Sequence, residues 1–198
     1  FGFVWVTADP EGATDLDTHI GEIGEELAAL HIEDMFVAHQ DLPVHGANWK
    51  ILVEGGIEAY HFKVAHRDTI GPHFEDNLSS YRMIGPHMRS ILMRTSMAKL
   101  DPDTRETWRL RDHAQVLYTL FPNTALLVQQ DHISWINQEA LSARQTRVRL
   151  STLAPKAEAD KSDHWQRNHD ITKVTLDEDF AIGESIQESI ASGANTHM

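Results

Sequence analysis

Four strand-like segments in the second half of the chain, followed by one long helical pattern, constrain the fold more than anything else in the sequence. Ala114 to Phe121 and Ala125 to Gln130 read as strands separated at Pro122-Asn123. Ile133 to Glu139 and Gln145 to Leu153 alternate and are rich in β-branched residues, as antiparallel strands are. Ala157 to Ser192 then turns mainly helical, with a break expected near Thr175 to Glu178. Strands grouped apart from helices give an α+β class, an antiparallel β-sheet covered by helices. At 198 residues the chain makes one domain, or most of one, with room for a sizeable core.

The first half is more mixed. Residues 1–7 read as a strand and Asp9-Pro10-Glu11-Gly12 as a turn. Thr18 to Leu30 has Ile20, Ile23, Leu27 and Leu30 at helical spacing. His31 to Asp41 is expected to be a strand, and Val44 to Leu52 a strand passing into a helix. The helical pattern from Val53 to Ala65 contains Gly55-Gly56, although each helix-interior glycine costs ~1 kcal/mol against alanine. Thr69-Ile70-Gly71-Pro72 ends that element. Between residues 75 and 112 the pattern is weakest, with a strand expected over Ser90 to Lys99 and a short helix over Pro102 to Leu110.

Composition removes several function classes. There is no cysteine, which excludes disulfides, cysteine-held zinc, thiol catalysis and thiolate-held Fe–S clusters within this chain. The net charge of −13 opposes binding to phosphate backbones and anionic lipid, so neither nucleic acid nor membrane is an expected partner. No apolar run reaches the ~18 residues of a membrane span.

The chemistry-bearing stretch runs from Asn48-Trp49-Lys50 to His66. It sets His61 and His66 five residues apart, just after Glu58 and Tyr60. Two histidines and one carboxylate on one side of a metal form the facial triad of non-haem Fe(II) oxygenases. A carboxylate is available far downstream, in Asp177-Glu178-Asp179. On a straight helix, positions i and i+5 point ~140° apart, so the histidines converge only if the helix ends, bends or bulges between them. The acidic run has a plainer reading as a solvated face, or as an N-cap at Asp177 or Asp179 for a helix starting near Phe180. Glu58, one helical turn before His61, is placed to receive the second nitrogen of a ligand histidine. Trp49 and Tyr60 read as packing residues. Asp112-His113 and Asp131-His132 are adjacent pairs with no nucleophile in a strained elbow beside them. Glu54-Gly55-Gly56-Ile57 lacks the spacing of a phosphate-binding loop.

Asn-Trp-Lys, then Glu54, then Glu58-x-Tyr-His-x4-His, with a Glu-Asp pair about a hundred residues later, resembles the catalytic domain of Rieske-type ring-hydroxylating oxygenase alpha subunits. Phe121-Pro122-Asn123 and Glu178-Asp179-Phe180-Ala181-Ile182-Gly183-Glu184-Ser185-Ile186-Gln187 also read as family segments, and Phe1 to Val6 looks like the last strand of a preceding Rieske domain. The resemblance implies a helix-grip, START-like fold. It implies a mononuclear Fe(II) held by His61, His66 and Asp179, and a catalytic role for Glu58 as the bridge to the Rieske cluster of a neighbouring subunit. It further implies a cytoplasmic oxygenase that uses O2 to hydroxylate an aromatic or related organic small molecule. Electrons would come from NAD(P)H through a reductase or ferredoxin, within a homotrimer or other homo-oligomer. The 2Fe-2S centre needs two cysteines and two histidines, so it is expected in the full-length protein but not in this chain. Residues 1–7 would be the tail of the Rieske domain, and 8–198 the catalytic domain, truncated at its C-terminus. One departure stands out: Gly55 occupies a position where the family usually has Asn. Two rival readings remain, a helix-grip ligand-binding module without active iron and a zinc-dependent hydrolase using the same triad.

Overall fold

The computed structural model describes residues 1–194. Its centre is an eight-stranded, wholly antiparallel sheet: β1 (Met35–Asp41), β2 (Val44–His45), β3 (Ser80–Ile84), β4 (His87–Met93), β5 (Ala114–Leu120), β6 (Thr124–Val128), β7 (Ile133–Ser142) and β8 (Gln145–Pro155). The spatial order is β1-β8-β7-β6-β5-β4-β3, with short β2 also paired to β8. From β3 to β8 every neighbour in space is a neighbour in sequence, a meander built from short turns. Among the described residues six α-helices accompany it: α1 (Leu16–Ile20), α2 (Ile23–Ala28), α3 (Trp49–Gly55), α4 (Phe62–Ala65), α5 (Leu110–His113) and α6 (Ser162–Ala191).

Strand side chains alternate between faces, and β5 shows how both faces are used. Val116, Tyr118 and Leu120 join Leu126, Val128, Ile133 and Leu153 in a core capped by Ile20, Ile23 and Leu27 of α1 and α2. Gln115, Leu117 and Thr119 point the other way, into a cavity roofed by α3, α4 and α6. A second core of Leu52, Ile136, Val148, Leu150 and Phe180 fastens α3 and α6 to the sheet.

α6 is one unbroken helix of 30 residues, so the break expected near Thr175 to Glu178 is absent. Its inward stripe is Trp165, His169, Thr172, Leu176, Phe180, Gly183 and Gln187, at the three- and four-residue steps that follow one helix face. Four of its seven members are polar or glycine, and the polar ones are bonded: Thr172 Oγ1–H donates to Asn168 O at 3.1 Å, and Gln187 Oε1 accepts from the Asn48 N–H at 3.0 Å. His169 Nε2–H points to Asp41 Oδ2 at 3.3 Å, and its Nδ1 accepts from Thr152 Oγ1–H at 2.8 Å.

Other expectations need correction. Residues 1–7 form no strand; Phe1, Phe3 and Trp5 lie against the α1–α2 core without a ladder partner. The Thr18 to Leu30 helix is split at Gly21, whose φ of 56° no ordinary residue adopts readily. The weak region holds two strands, Ser80–Ile84 and His87–Met93, and Thr95–Lys99 is a 3-10 helix. Pro102–Thr107 is also 3-10. No helix among the described residues is long and apolar enough to cross a membrane.

Candidate metal centre

The helix expected from Val53 to Ala65 is two helices with a gap. α3 starts at Asn48, whose side chain accepts from the Lys50 N–H at 3.0 Å, and ends at the glycine pair. Residues 56–61 are non-helical, and the chain winds again for a single turn, Phe62–Ala65. His61 and His66 are the two caps of that turn. This is how histidines five residues apart come together, with ring centroids 5.1 Å apart. Beyond His66 the chain doubles back so tightly that the Gly71 N–H donates to His66 O at 2.8 Å. A Cβ at Gly71 would lie 2.8 Å from the carbonyl oxygens of both His66 and Phe62, so only glycine fits.

Asp179 arrives from the middle of α6. Its Oδ1 lies 3.3 Å from His61 Nε2 and 3.0 Å from His66 Nε2. One ligand atom from each of the three residues falls within 4.8 Å of the others. The remaining ring nitrogens are tied off by carboxylates. His61 Nδ1–H donates to Glu58 Oε1 at 2.6 Å, and His66 Nδ1–H to Glu178 Oε2 at 2.7 Å. Thr69 Oγ1–H also donates to Glu178 Oε2, at 2.7 Å. Carboxylates only accept, so both rings are fixed with the proton on Nδ1.

That tautomer leaves two Nε2 lone pairs facing one carboxylate oxygen. Both Nε2 atoms are buried and neither makes a hydrogen bond of acceptable direction. Acceptor against acceptor at this distance is repulsive unless a cation or an extra proton lies between. Burial lowers the pKa of both histidines, but Asp179 with Glu58 (for His61) and Asp179 with Glu178 (for His66) outweigh it, and the net shift is upward. For Asp179, burial raises the carboxyl and the two imidazoles more than offset this, leaving it below its ordinary value. Three carboxylates around two imidazoles give a site with an excess of negative charge. Bonds of ~2.0–2.2 Å, as tabulated for zinc with nitrogen and oxygen ligands, would bridge separations of this size. The residues fit a divalent ion.

Asp177 is exposed and outside the cluster, and neither aspartate caps a helix, since both sit within α6. Glu178 is the member that sequence reasoning missed. Its one signal was adjacency to Asp179, because consecutive helical residues point ~100° apart and so flank an imbedded ring from two sides. Tyr60 is 77% exposed, contrary to its expected packing role. Gly55 is exposed, and a Cβ there would meet nothing within 4 Å.

The centre opens into a cavity of about 280 Å³ between the sheet and the helices. Its walls are mostly apolar, with Phe62, Leu92, Leu117, Leu127 and Ile136 among them, and Arg94, Gln115 and Gln129 add polar groups. An apolar pocket with a few convergent polar groups and perturbed titratable residues is the form of a small-molecule site.

The family model described as "Ring hydroxylating alpha subunit (catalytic domain)" matches residues 30–197. No curated protein matches the chain. Among solved structures, a quaternary ammonium Rieske monooxygenase, CntA, matches with 19% identity over 90% of this chain and 47% of that one, TM-score 0.69. Naphthalene 1,2-dioxygenase from Rhodococcus sp. matches with 15% identity over 90% and 50%, TM-score 0.67. Dicamba monooxygenase matches with 12% identity over 96% and 58%, TM-score 0.59. At these identities the likeness is one of fold. The chain spans about half the length of the first of these structures.

Proposed function

Because the chain belongs to the ring-hydroxylating alpha subunit catalytic-domain family, we propose that it is the iron-holding half of an oxygenase that hydroxylates an aromatic or related organic molecule. His61, His66 and Asp179 would hold one Fe(II). The observation that carries this reading is the pair of buried, unpartnered Nε2 atoms facing a single Asp179 oxygen, with each Nδ1 anchored by a glutamate. Bound there, a ferrous ion supplies the O2-activating chemistry of a two-histidine, one-carboxylate set.

The chain's own residues do the rest. Glu58 and Glu178 hold the protons on Nδ1 and keep both rings in the ligating tautomer. Phe62 and Phe74, 5.6 Å apart, wall the cavity beside His66 and keep water from the substrate. The apolar face of β5 to β7 orients an apolar substrate body against the helices.

Electrons would come from NAD(P)H through a reductase or ferredoxin and then a Rieske 2Fe-2S centre, which this cysteine-free chain does not build. A matched quaternary ammonium Rieske monooxygenase uses inter-subunit electron transfer. The same arrangement here would make Glu58, half-exposed and bonded to His61, the point of entry from a neighbouring subunit of a homo-oligomer. Residues 1–7 would continue from the Rieske domain, and the setting would be cytoplasmic.

Anaerobic Fe(II) loading followed by metal analysis tests the reading, with one iron per chain expected. No retained iron would refute it, whereas tighter binding of Zn(II) would not, since such sites generally bind zinc more strongly than ferrous iron. For Glu58→Gln in the full-length protein, reductase-driven turnover is expected to fall far more than peroxide-driven turnover; equal losses would assign Glu58 to the iron site alone.

A further inference from the structure

At one end of the cavity stands a cation without a counter-ion. Arg94 follows β4, and its guanidinium lies over the Phe74 ring, 5.3 Å from the centroid. Its Nε is buried and makes no hydrogen bond, and the guanidinium has no salt bridge among the described residues, only the longer-range attraction of Asp131. Its one side-chain hydrogen bond among the described residues is a long one, Nη2–H to Gln129 Oε1 at 3.5 Å. That same oxygen accepts from Gln115 Nε2–H, so Gln115 and Gln129 form a fixed amide pair beside the guanidinium. Arg111 donates to Gln129 O at 2.8 Å and adds a second positive charge behind the pair. The acid whose charge acts on Arg94, Asp131, is occupied elsewhere, with one oxygen on His132 and the other on His164, each at 2.8 Å. Burial disfavours the Arg94 charge, yet a guanidinium does not deprotonate in proteins. In a chain of net charge −13, a half-buried arginine left unpaired on a cavity wall is the exception that calls for a ligand.

We infer that Arg94, backed by Gln115 and Gln129, recognises a carboxylate on the substrate, so that the molecule taken is a small organic acid with an apolar body. A planar fork of N–H donors matches a carboxylate in a paired, charge-assisted arrangement that a neutral ring cannot exploit. The two ends of the cavity then divide the work. The acid group is held by Arg94, and the apolar body lies along Leu92, Leu117 and Leu127. The part to be oxidised reaches toward His61 and His66. Phe74 and Phe62 stand in series between the guanidinium and the His66 ring, with Phe62 and His66 centroids 5.4 Å apart. This inference rests on reading the cavity as the substrate pocket, but its test does not require iron.

Metal-free protein would be titrated with benzoate and 3-phenylpropionate and with their neutral amides, by calorimetry and ligand-observed NMR. At least one acid is expected to bind about tenfold or more tightly than its amide. Arg94→Met should abolish that preference, and Arg94→Lys should retain part of it. Equal binding of acid and amide, no binding of either acid, or a preference that survives Arg94→Met would overturn the inference. If iron loading fails while the Arg94-dependent preference stands, the oxygenase reading falls and the acid-binding pocket remains.

Discussion

Two clusters in this molecule are made of the same parts and do opposite things. Each joins two histidines to a carboxylate, and each uses a residue of α6. At the candidate metal centre, one Asp179 oxygen faces two Nε2 atoms while separate glutamates hold the Nδ1 atoms. At the other, Asp131 gives one oxygen to His132 Nδ1–H and the other to His164 Nε2–H. There a single carboxylate serves two rings with ordinary hydrogen bonds, and Trp165 packs against both rings, 6.2 Å from His132 and 4.6 Å from His164. His132 is 2% exposed and does not line the cavity. The first arrangement has surplus negative charge and opposed lone pairs, which a metal resolves. The second is already satisfied at its carboxylate and serves to fasten α6 to the turn between β6 and β7. Residue types do not make a metal site; which nitrogen faces which oxygen does.

The largest expected contrast is in metal content. His61→Ala, His66→Ala and Asp179→Ala should each reduce bound iron from one per chain to near zero with the circular dichroism spectrum retained. His132→Ala, His164→Ala and Asp177→Ala should keep wild-type iron. Iron lost equally from both sets would erase the distinction.

Stability should sort the clusters the other way. His132 is buried under Trp165, so His132→Ala is expected to cost about 2–4 kcal/mol, as large-to-small core substitutions do. His61→Ala, measured without metal, should cost much less because it relieves the opposed lone pairs. Denaturant midpoints at unchanged slope decide between them.

Glu178→Gln comes next. It keeps size while weakening the hold on His66 Nδ1, and a loss of roughly 10–100-fold in iron affinity is expected, as for other outer carboxylates. An affinity equal to wild type by competition with a chelator would show that Thr69 and packing suffice to orient the ring.

The smallest effects are in the pH profile of the metal-free protein, where the two clusters should pull in opposite directions. The folded pKa values of His61 and His66 are raised above the ordinary 6.5. Their protons therefore stabilise the fold fully below pH 6.5, and that contribution is lost as pH rises through the raised values. His132 is lowered below 6.5, chiefly by burial. Its neutral form therefore favours the fold above pH 6.5, and the benefit is lost as pH falls through the lowered value. Removing His61 should flatten the alkaline limb of the stability profile, and removing His132 the acid limb. Iron affinity should rise with pH, since both ligating rings must be free of the extra proton.

How far the sequence anticipates this architecture depends on burial. The strands from Ala114 to Leu153 were legible because their buried faces impose a regular pattern, and β5 to β8 begin and end within a few residues of expectation. β3 was not, because most of its residues are exposed on an edge and nothing enforces alternation. The helix break between Gly56 and His61 was foreshadowed by the glycine pair and by the geometry of i, i+5, yet propensity alone favoured continuity. The opposite error occurred in α6, where an acidic run resembling a helix start lies mid-helix because Phe180 and Leu176 pack it down. His61, His66, Asp179 and Glu58 could be singled out from motif and spacing. Glu178 and Arg94 could not, since their importance lies in which partner each has, or lacks, across the fold.

The seating of His66 has a consequence for how such a chain can vary. Its two ring nitrogens are addressed by consecutive residues of one helix, Glu178 on Nδ1 and Asp179 on Nε2. α6 therefore acts as a key whose teeth are cut at a fixed angle. One residue inserted between Trp165 and Leu176 would turn everything beyond it by ~100°, withdrawing both teeth together. An insertion of seven would restore the angle but carry them ~10 Å along the axis, past the lock. The span from the Trp165 anchor to Asp179 can thus exchange its outward residues freely but can neither gain nor lose one. Length, not identity, is the conserved quantity to seek there when this chain is set beside its relatives.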